Sequence, residues 1–344
     1  MTATAALRRI EGLPPGLLDV EARALNDWLG APTLLRLKGR ERNPILISVL
    51  LHGNETSGWD GLRQVLRQHA AALPRDLLIL IGNVEAAAAG VRTLPDQADF
   101  NRIWRPASGI AAEVLATIGD EPLMAVVDLH NNTGKNPAYA VLTDLSPGSL
   151  GLARLHGGVG VIVEEPDTVL TRAFAGRAPS IALELGPVGD PEATGRAARY
   201  LDGLLSLPEA PTARIEDLRL YRTLARVHPP ADATFGFSTA GQGKLDLVLN
   251  GGIEENNFRP LPAGTEFGQA RNGFNLQVLD NRHRDVTSQF LDVRDGRILA
   301  TRTLMPAMYT TDASVVRQDC LCYLMAPAVD GGQSGQNEFT FATP

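Results

Sequence analysis

Only two cysteines, Cys320 and Cys322, occur in 344 residues. A secreted fold held by disulfides would carry more, and a C-x-C pair makes a poor bridge and a poor chelate, so both read as packed thiols in a reducing compartment. Aromatic residues are scarce at 5%, against 44% apolar residues in all. The core is therefore mostly aliphatic, as expected for helices packed on a parallel sheet. No run approaches the ~18 consecutive apolar residues of a membrane-spanning helix. Positive charge is not in excess: 32 lysines and arginines stand against 39 acidic residues, a formal net charge of −7. That balance argues against a nucleic-acid surface, so neither nucleic acid nor membrane is an expected partner. The opening MTATAALRRIEGL has arginines but no apolar stretch, so no secretory leader is expected and the expected location is cytoplasmic.

What is present is a series of short, intensely apolar runs. Ile45 to Leu51, Asp76 to Ile81, Leu123 to Leu129 and Ser180 to Leu185 have the length and the Ile/Leu/Val content of buried strands. Thr33 to Leu37, Tyr139 to Leu142 and Val159 to Val163 read as further strands. Between them lie helical spacings. Trp59, Leu62, Leu66, Ala70 and Leu73 recur at three and four, which predicts an amphipathic helix stopping near Pro74. Helices are also expected around Leu17 to Leu29, over Gly109 to Ile118, and over Pro191 to Leu205, where Glu192 suits the helix dipole. Strands alternating with helices imply an α/β fold with a mostly parallel mixed sheet. Past Pro208-Glu209-Ala210-Pro211 the segments turn short and β-branched, punctuated by Gly251-Gly252, Ala263-Gly264, Asn272-Gly273 and Asp295-Gly296. A first domain over 1–210, a smaller β-rich domain over 211–327 and a loose tail over 328–344 are expected.

Three of the buried strands end in polar residues that make chemical sense together. The first closes in His52-Gly53-Asn54-Glu55, an imidazole and a carboxylate three residues apart. In open α/β sheets ligands bind outside the carboxyl ends of the strands, and imidazole with carboxylate is ligand chemistry that zinc accepts. Another strand ends Asp128-Leu129-His130, with the aspartate placed to orient the histidine ring. Ser180 to Leu185 carries Glu184 inside an apolar run. A lone histidine at a strand end is more often a structural hydrogen-bonding residue. A buried carboxylate is harder to dismiss, because without a partner it costs several kcal/mol. Glu184 therefore belongs to a metal site or to a salt bridge with an arginine. Jointly, His52, Glu55 and His130 supply a His₂Glu zinc set, one ion per chain, with Glu184 as the carboxylate that takes a proton from water. His69, His156, His228 and His283 show no comparable context.

HGNE at 52–55, DFNR at 99–102, DLHNNTG at 128–134 and ELGP at 184–187 resemble the aspartoacylase/succinylglutamate desuccinylase family, zinc-dependent amidohydrolases related to the zinc carboxypeptidases. LNGGIEENNFRPLPAGTEF, in the C-terminal part, resembles a segment of the same family. The resemblance implies a zinc-carboxypeptidase-like sheet with a smaller C-terminal β domain. It implies that His52, Glu55 and His130 are the zinc ligands and Glu184 the general base. It further implies that Arg92 polarises the scissile carbonyl, and that Asn101 and Arg102 grip the α-carboxylate of the amino-acid product, a task for which an arginine fork is suited. Three departures stand out. Asn83-Val84 replaces the family's Asn-Pro. Arg172 best matches the arginine that aspartoacylases use for an acidic side chain, with Arg177 as a rival. Ser314 aligns with the family's C-terminal tyrosine, and Tyr309, upstream of it, is the tyrosine expected to bind substrate in its place.

The expected function is hydrolysis of the amide bond of a small N-acyl amino acid, with the β domain limiting substrate length. The alternatives are a zinc carboxypeptidase acting on short peptides and a non-catalytic metal-dependent binding protein. Acyl group, amino acid and any homo-oligomer are left open.

Overall fold

A computed structural model describes residues 6–237, 245–271 and 273–328. Asn272, in one expected turn, and positions 329–344 of the expected tail lie outside the described residues. The chain divides into two compact units, 1–131 with 138–219 and 132–137 with 220–344. Among the described residues no helix is long and apolar enough to cross a membrane.

The first unit is built on eight strands: β1 (Arg8–Glu11), β2 (Thr33–Leu37), β3 (Glu41–Val49), β4 (Arg75–Ile81), β5 (Ala125–Asn132), β6 (Tyr139–Leu142), β7 (Val159–Ile162) and β8 (Ser180–Pro187). They stand in the order β1-β2-β4-β3-β5-β8-β6-β7. β3 runs parallel to β4 and β5, β1 to β2, and β6 to β7, while β2–β4 and β6–β8 are antiparallel. The sheet is thus mixed and mostly parallel, with flanking helices. Its middle is buried on both faces: Ile45, Ile47, Ile79, Leu80 and Val127 have no exposed surface. That is why these strands are unbroken apolar runs and not alternating ones.

The helices of this unit are α1 (Leu25–Leu29), α2 (Ser57–Gln68), α3 (Val84–Ala89), α4 (Gly109–Ile118), α5 (Pro147–Leu155), α6 (Leu170–Ala173) and α7 (Pro191–Leu205). Two expectations need correction. The stretch 17–29 is not one helix but two 3₁₀ turns, Leu17–Asp19 and Ala22–Ala24, followed by the short α1. Leu17, Ala22 and Leu25 each bury at a separate turn, so the apolar spacing is real but no continuous hydrogen-bonded ladder joins it. α2 ends at Gln68 and not near Pro74, and the His69 ring that follows it bonds Asp202 of α7 at 2.7 Å. α3 explains the Asn83-Val84 departure. Asn83 is its N-cap, accepting the Ala86 N–H at 3.1 Å, and Val84 takes the first helical position, where a proline is tolerated anyway.

The second unit contains β9 (Arg219–His228), β10 (Phe235–Gly236), β11 (Leu247–Leu249), β12 (Glu266–Ala270), β13 (Gln277–Asp280), β14 (Leu291–Arg294), β15 (Arg297–Ala300), β16 (Met305–Ala307) and β17 (Cys322–Pro327), with α8 (Thr287–Phe290) and α9 (Ala313–Gln318). A five-stranded sheet runs β10-β11-β12-β15-β14. β14 and β15 form a hairpin whose two turn residues, Asp295 and Gly296, both have positive φ, +49° and +74°. That is the type I′ chemistry of an Asp-Gly pair. Gly251-Gly252 instead opens a 3₁₀ helix, Gly251–Asn256, capped by Asn250. Cys320 and Cys322 are both buried free thiols.

Candidate metal centre and active site

β3 delivers the first two functional side chains through a forced exit from the sheet. Leu50 leaves the strand with φ +59°, a region bulky residues avoid. Its carbonyl is held there by the Asn83 N–H at 2.6 Å. The chain then passes so close to α3 that a Cβ on Gly53 would lie 2.2 Å from the Ala87 nitrogen. Only glycine fits, and that closeness fixes the turn. Within it the Glu55 N–H returns to the His52 carbonyl at 3.1 Å, which puts both side chains on one side.

β5 brings His130 to meet them. The ligand atoms of His52, Glu55 and His130 lie within 4.8 Å of one another, and all three residues are buried. Glu55 Oε1 lies 2.9 Å from His52 Nδ1, and Oε2 lies 2.8 Å from His130 Nδ1. The outer nitrogens are held as well: His130 Nε2 by Asp128 at 2.8 Å and His52 Nε2 by Asp99 at 3.1 Å. Each imidazole is thus clamped between two carboxylates with its Nδ1 turned to the common centre, the arrangement of a metal-ligating histidine. The orienting role of Asp128 was expected. That of Asp99 was not, although its place at the head of DFNR was a signal.

The charges follow from this geometry. Burial works against ionising Glu55, but the two histidines outweigh it and hold its carboxyl well below the usual range. Burial likewise opposes charge on His130, yet Asp128 and Glu55 raise its pKa well above the ordinary value. Asp99 is held low by His52, Arg92 and Arg102 against its own burial. Two Nδ1 atoms and a carboxylate are also a donor set that a divalent cation such as zinc accepts, so the residues present fit the metal.

Glu184 enters from β8, paired across the sheet with Tyr139. Its Oε2 is shut off from solvent with no hydrogen-bond partner among the described residues. Burial pushes its pKa up to about 7, tempered by His130 and supported by Glu55. The carboxyl therefore sits within electrostatic reach of the cluster and poised to exchange a proton.

The remaining candidates divide. Arg92 donates to Asp99 Oδ2 at 3.0 Å and lies 3.8 Å from Glu55 Oε1. Asn101 Nδ2 lies 3.3 Å from His130 Nε2, while its Oδ1 accepts the Leu170 N–H at 3.0 Å. Arg102 reaches back to the Asn101 carbonyl at 3.0 Å. Arg172 donates to the carbonyls of Val163 and Glu164 at 3.0 and 3.2 Å, and Arg177 to that of Gly119. Tyr309, in the second unit, is fully buried, and its hydroxyl donates to the Asn250 carbonyl at 2.9 Å.

The fold is the zinc-carboxypeptidase-like fold of the aspartoacylases. Residues 42–206 match the family model of the succinylglutamate desuccinylase/aspartoacylase catalytic domain. Over that stretch the sequence is similar to that catalytic domain. A succinylglutamate desuccinylase of Yersinia pestis (strain Pestoides F) is 27% identical, the match covering 69% of this chain and 84% of the relative. Among solved structures, a succinylglutamate desuccinylase/aspartoacylase from Rhodobacter sphaeroides superposes with TM-score 0.56 at 16% identity, covering 85% of this chain and 88% of the other. Murine aminoacylase 3 gives 0.51 at 16%, covering 83% and 96%. At these identities the structural likeness speaks for the fold.

Proposed function

We propose that the chain is a zinc-dependent deacylase that hydrolyses the amide bond of a small N-acyl amino acid. The observation that carries this reading is the convergence of His52, Glu55 and His130, with the outer histidine nitrogens held by carboxylates and Glu184 Oε2, which has no partner among the described residues, within electrostatic reach. His52 Nδ1, a Glu55 oxygen and His130 Nδ1 would hold the ion. Bound there, zinc supplies a Lewis acid that acidifies water and polarises a carbonyl.

The other steps belong to side chains. Glu184 accepts a proton from the attacking water at Oε2, a role for which a carboxyl near neutrality is suited, and returns it to the leaving amine nitrogen. Arg92, held by Asp99, lends positive charge to the oxyanion of the acyl carbonyl. Asn101 and Arg102 would take the α-carboxylate, leaving the acyl group toward the cluster. The family match and the curated relative support a deacylase over a peptidase.

The test is a panel of N-succinyl and N-acetyl amino acids beside short peptides, assayed on zinc-loaded protein with metal content measured in parallel. Release of acyl group with one zinc per chain is the expected outcome. Turnover confined to peptides would make the chain a carboxypeptidase, and zinc uptake without any turnover would make it a binding protein.

A further inference from the structure

Asn131 follows His130 in β5 and is almost completely buried, at 3% exposure. Its carboxamide joins two other segments of the site. Oδ1 accepts the main-chain N–H of Ser57 at 3.2 Å. Nδ2 donates to Ser57 Oγ at 2.9 Å and to the Gly186 carbonyl at 2.9 Å, with the Pro187 carbonyl at 3.3 Å. Its main-chain N–H points at Glu55 Oε2, 3.3 Å away. Ser57 is the first residue of α2 and stands two places after Glu55; Gly186 stands two places after Glu184. The N-cap residue of α2, Thr56, makes no side-chain cap. An exposed helix start could leave that N–H to water, but here the end is buried and Asn131 satisfies it from another strand.

We propose that Asn131 is a positioning residue that sets the place of Glu55 relative to Glu184. This rests on the reading of those two residues as metal ligand and base. The argument is one of donor polarity. The position requires an acceptor toward Ser57 N–H and donors toward Ser57 Oγ and the Gly186 carbonyl, all within one short planar group, and a carboxamide supplies both. An aspartate there sets anionic lone pairs against the Gly186 carbonyl. A leucine leaves a buried N–H and a buried C=O unmade. Either change frees the start of α2, and Glu55 with it, from the strand end that follows Glu184.

The experiment compares wild type with Asn131→Asp, Asn131→Leu and Ser57→Ala. Zinc dissociation constants are measured by competition with a chromophoric chelator, and the visible spectrum of the cobalt-loaded protein reports ligand geometry. At saturating zinc, kcat and KM are followed from mildly acidic to mildly alkaline pH on the panel substrate that wild type turns over. For both Asn131 variants zinc affinity should fall about tenfold and kcat about 100-fold, the range for removing a partner of a metal ligand, with KM within about threefold. The Asn131→Asp deficit should shrink toward acid pH, where a protonated carboxyl again offers one donor and one acceptor, and the Asn131→Leu deficit should not. Ser57→Ala should weaken kcat in the same direction by less, and it carries the test with Asn131→Asp if the leucine variant does not fold. The proposal is overturned if folded variants keep zinc affinity and kcat within about twofold of wild type. It is equally overturned if the aspartate and leucine variants lose the same activity at every pH. Wild type that takes up no zinc sinks the deacylase reading along with this one, whereas an active wild type matched by its variants sinks the Asn131 proposal alone.

Discussion

Around His130 the polar atoms face one another; around Arg172 and Tyr309 they face the main chain. The first region sets two imidazoles against Glu55, Asp99 and Asp128 and leaves Glu184 Oε2 without a partner among the described residues. Elsewhere, the Arg172 guanidinium in the first unit donates through one nitrogen to two backbone carbonyls, its Nε buried with no partner among the described residues, and the Tyr309 hydroxyl in the second unit donates to another carbonyl. Hydrogen bonds to backbone carbonyls satisfy buried groups and hold loops in place. Ionisable groups crowded together in a buried place cost folding free energy and persist where a ligand or a reaction uses them. On the proposed function, the comparison sets candidate chemistry against candidate scaffolding inside one chain.

The largest test of that separation is Glu184→Gln. The substitution keeps the shape of the side chain and removes its ability to accept a proton. Activity should fall about 10³-fold or more, within the contribution of a positioned general base, and zinc content should not change. A variant hydrolysing its substrate at near wild-type rate would move Glu184 into the scaffolding class.

His156 stands between the two kinds of environment. One side of its ring bonds the Glu184 main chain, Nε2 is buried with no partner among the described residues, and Tyr200 packs edge-on at 5.6 Å. Burial lowers its pKa from the ordinary 6.5 to about 4. The unfolded chain then holds the proton more tightly than the folded one between those values. Stability from this residue is complete above pH 6.5 and is lost as the pH falls toward 4. The loss amounts to at most about 3 kcal/mol, at about 1.4 kcal/mol per unit of pKa. Thermal melts of wild type and His156→Gln over that window should diverge at neutral pH and converge in acid. Parallel curves would show that the ring is not held neutral by its surroundings.

The strand ends were legible because a buried strand must be apolar, so any histidine or carboxylate in or beside one demands a reason. Glu184 stands out on that ground, and His52, Glu55 and His130 do so only jointly, since a lone strand-end histidine is more often structural. Asp99 and Asn131 do not, since an aspartate or asparagine in a loop or at a strand end is ordinary, and its partners lie far off in sequence. Asp99 bonds residues 47 and 7 positions away, and Asn131 bonds residues 74 and 55 positions away. Local pattern also misled over 17–29, where apolar spacing without a continuous ladder looked helical. β1 and α5 are hard to see in the sequence for opposite reasons. RRIE is a charged edge strand with little apolar signal. Pro147 hid a helix start that Ser146 caps through the Ser149 N–H.

The smallest effect is expected at Tyr309, and it bears most directly on the contrast. Burial raises the pKa of its phenol well above the ordinary value, so the group stays a neutral donor at any working pH. Its hydroxyl bonds the Asn250 carbonyl, and the neighbouring main chain is pinned by Asn257, whose Oδ1 accepts the Tyr309 N–H and whose Nδ2 donates to the Tyr309 carbonyl, each at 3.0 Å. Tyr309→Phe removes one neutral hydrogen bond and leaves the ring packed near Phe267. The expected cost is about 1 kcal/mol of stability in denaturant melts, with kcat and KM on the deacylation panel within about twofold of wild type. A tenfold fall in kcat/KM with unchanged stability would give the phenol a part in substrate recognition and erase the line between the two regions at this residue.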